Sequence, residues 1–201
     1  MGHDSGLYDA EEAAAATNAK ATAEVKGGGP QPWSEQVLID CDGVLAEMAI
    51  PPDKAYWGSP ELIPLQEPGY ATNVATAEGS HALVKSIRGI GLDITILTSP
   101  WDDSPTWDWD RRIWLKREFE ISKYDVIFSK RKWAVGGLTL IEDNAGHARA
   151  WAEQWGRPSI LINQRWNADQ YTDRSVIRVD SLMEAAVAVR SLHAGYNRSS
   201  Q

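Results

Sequence analysis

Four short apolar runs, each ending in polar residues and separated by stretches of helical spacing, set the fold this chain can adopt. Residues 37–39 lead into Asp40 and Asp42, and residues 92–97 into Thr98 and Ser99. Val126–Phe128 leads into Lys130 and Lys132, and residues 138–141 into Glu142, Asp143 and Asn144. Helical spacing occupies residues 78–90, Trp107–Phe119, Ala145–Trp155 and residues 182–192, and two more strand-like runs lie at 160–162 and Val176–Val179. Strands alternating with helices predict an α/β fold, a Rossmann-like parallel sheet with helices on both faces. A parallel sheet gathers the C-terminal ends of its strands along one edge, so the polar endings should meet there.

The first ending is the most informative. Asp40 and Asp42 stand one residue apart at the tip of a buried strand, and Gly43 then lets the chain turn. Alternate strand residues point the same way, which would put both acids on one side. Two acids so close repel unless a cation or a shared proton lies between them. The same residues also suit a strand followed by an Asp-Gly hairpin turn. With the other endings added, Asp40, Asp42 and Asp143 supply oxygen ligands for a hard cation such as Mg2+. The Thr98 hydroxyl, amides near Ser99, and Lys132 supply donors to a phosphate. Taken singly, each group has a plainer reading. Thr98 and Ser99 suit a turn, residues 130–132 a solvated basic turn, and Asp143 a helix cap. Together they form an inventory for phosphoryl transfer.

Net charge and length narrow the class further. A formal charge of −8 over 201 residues argues against a broad electrostatic grip on a nucleic-acid polymer or an anionic membrane. No apolar run approaches the ~20 residues a membrane span needs. Cys41 is the only cysteine, which excludes an intrachain disulfide and fits a reducing, cytoplasmic location. Ten tryptophans is the odd count; packing accounts for most, and some suit a stacking surface for a flat ligand. Residues 1–32 read as a flexible N-terminal tail and linker, closed by Gly27, Gly28, Gly29, Pro30 and Pro32. The remaining residues, 33–201, read as one domain. Residues 46–77, rich in proline and aromatic residues, interrupt the rhythm right after the acidic tip, where an insertion serves either as a cap over it or as a structural excursion.

In order and wording these segments resemble the haloacid dehalogenase superfamily of phosphohydrolases. Asp40-Cys41-Asp42-Gly43-Val44-Leu45 is similar to its first motif, Thr98 to its second, Lys132 to its third, and Glu142-Asp143 to its acidic fourth. Within that superfamily, Val44-Leu45-Ala46 and Thr98-Ser99-Pro100 look most like the 5′(3′)-deoxyribonucleotidases. The resemblance spans roughly residues 36–170. It implies a Mg2+-dependent phosphomonoesterase acting on nucleoside 5′-monophosphates, with deoxynucleotides foremost. Asp40 would be the nucleophile and Asp42 the acid and base. Asp40, the Asp42 backbone carbonyl and Asp143 would hold the metal. Gly43, Thr98, Ser99 and Lys132 would hold the phosphate, with Lys130 and Arg111 assisting. Tyr56, Trp57, Trp101 and Trp166 are aromatic candidates for base stacking and Asn167 for a polar contact; base stacking by itself selects no particular base. The family usually carries Asp at the position of Glu142, and the longer side chain here would alter the surroundings of the metal.

The expected partner is a small-molecule nucleotide, with no nucleic-acid polymer and no membrane; a homodimer is an allowed assembly. Three other readings stay open. One is a phosphatase for another small phosphomonoester, and one is a phosphatase for a nucleic-acid 3′-phosphate. The third is a non-catalytic binding protein of the same fold. The chain carries no Gly-x-x-x-x-Gly-Lys-Ser/Thr kinase loop.

Overall fold

The computed structural model describes residues 35–47 and 65–199. The expectations for the tail at 1–32, for Tyr56 and Trp57, and for the middle of the insertion lie outside the described residues.

Six strands form one sheet: β1 (Gln36–Ile39), β2 (Asp93–Thr98), β3 (Val126–Phe128), β4 (Thr139–Glu142), β5 (Ser159–Ile162) and β6 (Val176–Val179). Their spatial order is β3-β2-β1-β4-β5-β6, and every pairing is parallel. Four helices connect or follow them: α1 (Ser80–Gly89), α2 (Trp107–Phe119), α3 (Ala145–Trp155) and α4 (Leu182–Ser199). This is the doubly wound arrangement that the alternating sequence predicts.

Side-chain alternation divides the core in two. Val37 and Ile39 of β1 join Ile94 and Ile96 of β2 on one face, where Leu83 and Ile87 of α1, Trp114 and Leu115 of α2, and Ala185 and Val189 of α4 cover them. Leu38, Leu97 and Leu140 point to the other face and pack on Trp151 of α3. A strand buried on both sides must be apolar throughout, as Val37-Leu38-Ile39 is.

Most element ends fall within a residue or two of the sequence expectation, but α4 extends to Ser199 rather than stopping near residue 192. Residues 193–199 contain no proline, and Tyr196 packs on the core with the Arg157 guanidinium 5.4 Å from its ring, so nothing halts the helix at Leu192.

The chain runs outward from β1 through β2 to β3, then returns to place β4 on the other side of β1. The direction of winding therefore reverses between β1 and β4. At such a reversal the connections leave in opposite directions and open a crevice beyond the strand ends. Asp40 follows β1, and Glu142 closes β4. The Asp40 N–H donates to the Ile141 carbonyl at 2.9 Å, which fixes the two endings side by side.

The insertion starts and ends beside this crevice. Ala46 forms an antiparallel bridge with Thr76, Glu47 N–H donates to Ala75 O at 2.9 Å, and Ala77 N–H donates to Leu45 O at 2.8 Å. Its returning limb is anchored on α2. Trp114 Nε1 donates to Val74 O at 2.8 Å, and Gly69 N–H donates to Asp110 Oδ2 at 2.7 Å.

Candidate active site

Three carboxylates, Asp40, Glu142 and Asp143, meet at the crevice with one oxygen from each within 4.8 Å of the others. All three are buried. Lys132, also buried, reaches between two of them, 2.7 Å from Asp40 Oδ1 and 2.8 Å from Glu142 Oε2. Three carboxylates against one ammonium leave two formal negative charges in a site withdrawn from water. Burial, then Glu142, pushes the Asp40 carboxyl well above its ordinary range, against the pull of Lys132. Burial and Glu142 likewise raise Asp143. Glu142 moves the other way: burial opposes its charge, but Lys132 and His147 outweigh that and hold it low. Lys132 is raised; burial disfavours its charge, and Asp40 and Glu142 more than offset this.

Such a cluster is incomplete without a counter-charge, which must come from protons or from a cation. Buried carboxylate oxygens around a surplus of two negative charges fit a divalent hard cation.

Local structure explains the convergence. After Asp40 the chain turns tightly, with Leu45 N–H and Ala46 N–H donating to Cys41 O at 2.8 Å and Gly43 N–H to Ala46 O at 2.9 Å. Gly43 takes φ of 81°. A Cβ there would lie 2.2 Å from Asp143 Oδ2, so only glycine lets the turn approach that carboxylate. Lys132 opens a short 3-10 turn, Lys132–Ala134, pinned from α3. Trp151 Nε1 donates to Val135 O at 2.8 Å, and Trp155 Nε1 to Trp133 O at 2.9 Å. Asn144 caps α3 by accepting from the N–H groups of Gly146 and His147.

Asp42 does not join the carboxylate cluster. Its Oδ1 lies 2.5 Å from Arg111 NH2, and its side chain remains 25% exposed. The expectation that both acids lie on one side, with Asp42 counted beside Asp40 and Asp143 among the oxygen ligands, is corrected here for the Asp42 side chain; the third carboxylate is Glu142, which the expectation treated as a modifier of the surroundings. The acidic pair at the β4 ending was the available signal. Arg111 is fully buried, its guanidinium carbon 4.8 Å from the Trp107 ring and 5.2 Å from the Trp114 ring. Burial works against its charge, and Asp42, Cys41 and Asp40 together raise its pKa.

Thr98 ends β2, its hydroxyl buried and without a hydrogen-bond partner among the described residues. Leaving a buried hydroxyl unpaired costs about 1–3 kcal/mol, the signature of a group kept for something else. Ser99 follows, half-buried. Trp101 lies 6.2 Å from Trp107, which stacks with Tyr70 at 6.4 Å, so its ring meets protein aromatics.

Three further expectations need correction. Gly43 cannot offer its N–H to a phosphate, because the tight turn directs that donor to Ala46 O. Lys130 is mostly exposed and ion-paired with Asp102, away from the buried cluster, because the chain after β3 turns outward before Lys132 turns back. Asn167 is fully buried and fully engaged. It donates to Asp143 O at 2.7 Å and Ile162 O at 2.9 Å, and accepts from Gln164 N–H at 3.1 Å, leaving no polar group for a ligand. Trp166 is half-buried and takes a role beyond the expected one: its Nε1 donates to Asp143 Oδ2 at 2.9 Å.

A cavity of about 250 Å3 adjoins the cluster, lined by Gly43, Ala46, Glu47, Ala77, Glu78, Gln164 and Trp166. Among the described residues no helix is long and apolar enough to cross a membrane.

No family model and no curated protein matches the chain. Among solved structures, it is similar to one from Burkholderia xenovorans LB400, provisionally described as a haloacid dehalogenase-like hydrolase, with a TM-score of 0.51. The two are 12% identical, and the likeness covers 78% of this chain and 97% of that one. At that identity what is shared is the fold: the doubly wound sheet described above.

Proposed function

We propose that this chain is a Mg2+-dependent phosphomonoesterase that passes through an aspartyl-phosphate on Asp40, with nucleoside 5′-monophosphates, deoxynucleotides foremost, as substrates. The observation that carries this reading is the cluster of Asp40, Glu142 and Asp143 around one buried lysine, short by two positive charges, at the winding reversal of the sheet. The hydrolase description of the Burkholderia neighbour agrees with it.

Asp40 Oδ1 accepts from Cys41 N–H at 2.8 Å and pairs with Lys132, which leaves Oδ2 to strike phosphorus. The Asp40 oxygen–phosphorus bond forms as the ester oxygen–phosphorus bond breaks, and Asp42 gives its proton to the departing alkoxide. Asp42 then takes a proton from water, whose oxygen attacks phosphorus and frees Asp40 and inorganic phosphate. Arg111 beside it orients the Asp42 side chain and pairs with its carboxylate once the proton has left. Thr98 and Ser99 donate to the phosphoryl oxygens, where charge gathers in the transition state. Mg2+, held by Asp40 and Asp143 with Glu142 adding charge, would cancel the repulsion between a carboxylate and an anionic ester.

The nucleotide assignment rests on the Asp-Gly-Val-Leu-Ala and Thr-Ser-Pro wording. Glu47 and Glu78 beside the cavity weigh against substrates with several phosphates and against polymers. Phosphate release from p-nitrophenyl phosphate and a panel of nucleoside and sugar monophosphates, with Mg2+ and with a chelator, tests the reading. Mg2+-dependent release that is fastest on nucleoside 5′-monophosphates and lost in Asp40→Asn supports it. A folded D40N enzyme with wild-type turnover would remove Asp40 from the chemistry.

A further inference from the structure

We propose that Trp166 is a positioning residue for the metal carboxylate Asp143, presenting its indole N–H so that one oxygen of that side chain faces the cation. This inference rests on the metal reading above. Asp143 directly follows β4, next to Glu142. The segment after β5 reaches it. Trp166 Nε1 donates to Asp143 Oδ2 at 2.9 Å, and the neighbouring Asn167 Nδ2 donates to the Asp143 backbone carbonyl at 2.7 Å. Side chain and main chain of one residue are thus gripped by consecutive residues of another segment. Gln164 Nε2 reaches the opposite wall of the site and donates to Gly43 O at 3.2 Å.

The gripping segment is itself braced. Arg178 of β6 donates from NH2 to Asn167 O at 2.8 Å and Gln170 O at 2.7 Å, and from NH1 to Asn163 Oδ1 at 2.6 Å. The brace therefore runs from β6 through residues 163–170 to Asp143. A carboxylate with one oxygen held by a donor presents the other in a single direction, and partners of this kind commonly shift metal affinity by about 10–100-fold.

Isothermal titration with Mn2+ and Mg2+ tests this on Trp166→Phe and Trp166→Tyr, which keep an aromatic ring but remove the N–H. Because Trp166 is only half-buried, both variants should keep the fold, checked by circular dichroism. The expected result is a loss of cation affinity of about 10-fold or more in both. Thr139→Val is the control. It deletes a side-chain hydrogen bond, to Pro158 O, from a buried residue at the opposite end of β4 from the carboxylates. It should lower the melting temperature and leave cation affinity within about twofold. Unchanged affinity in folded W166F and W166Y would overturn the positioning role while leaving the metal reading intact. A wild-type protein that binds neither cation would overturn the metal reading itself. An equal affinity loss in T139V would make the effect one of general stability and also overturn the positioning role.

Discussion

Replacing Lys132 with methionine keeps the length of the side chain and removes its charge, and it probes the cluster most sharply. Lys132 makes two charge-assisted contacts, 2.7 Å to Asp40 and 2.8 Å to Glu142, and its side chain is 2% exposed, so water does not screen them. Each such bond contributes about 1.5–3 kcal/mol. Breaking a buried ion pair from one side typically costs about 3–5 kcal/mol. Against a total stability of about 5–15 kcal/mol, K132M should be folded and plainly weakened at neutral pH. The loss should also depend on pH. Asp40 and Asp143 are already raised in the wild type, so the folded state holds protons more tightly than the unfolded state. Their contribution is fully present below the unfolded pKa and disappears as pH rises through the folded value. Without Lys132 the folded values climb further, so the deficit of K132M should be largest near pH 8 and shrink toward about pH 5. Urea unfolding at several pH values, with and without Mg2+, measures it. A K132M protein as stable as wild type at about pH 8, or one whose deficit grows on acidification, would refute the charge argument.

Gly43→Ala combines a left-handed φ of 81° with a Cβ 2.2 Å from Asp143 Oδ2, so it should cost about 2–4 kcal/mol in chemical denaturation and abolish cation binding. Thr98→Val removes an unpaired buried hydroxyl; stability should stay within about 1 kcal/mol while kcat/KM for a phosphomonoester falls at least about tenfold. Arg111→Met leaves Asp42 unpaired but partly hydrated, and a thermal melt should show a loss of about 1–3 kcal/mol. Mg2+ binding should release protons and weaken from about pH 8 to about pH 6, because raised Asp40 and Asp143 take up protons in its place; titration in buffers of different ionisation enthalpy counts them.

Strand and helix positions were legible because periodicity and burial agree: Val37-Leu38-Ile39 is apolar on both faces, and β1 is covered on both faces. The meeting of Asp40 with Asp143 was legible too, since strand endings in a parallel sheet share an edge. Which way each side chain turns at that edge was not. Asp42 lies one residue beyond Cys41 in a tight turn, not in a strand, so the alternation that would have paired it with Asp40 no longer applies, and its carboxylate goes to Arg111. Lys130 and Lys132 are alike in sequence, and only the 3-10 turn at Lys132–Ala134 decides which one is buried. The tryptophans read as packing or stacking groups. Trp114 and Trp151 do pack in the core, and Trp114, Trp151, Trp155 and Trp166 also use their N–H groups to fasten the loops around the site, a second role set by where distant carbonyls and a carboxylate fall.

The central claim is that Asp40 becomes phosphorylated, and acid quenching during turnover tests it directly. With Mg2+ and a nucleoside monophosphate, the peptide carrying Asp40 should gain the mass of one phosphoryl group within the first turnover and lose it as substrate is exhausted. A peptide that stays unmodified while inorganic phosphate accumulates would contradict the account.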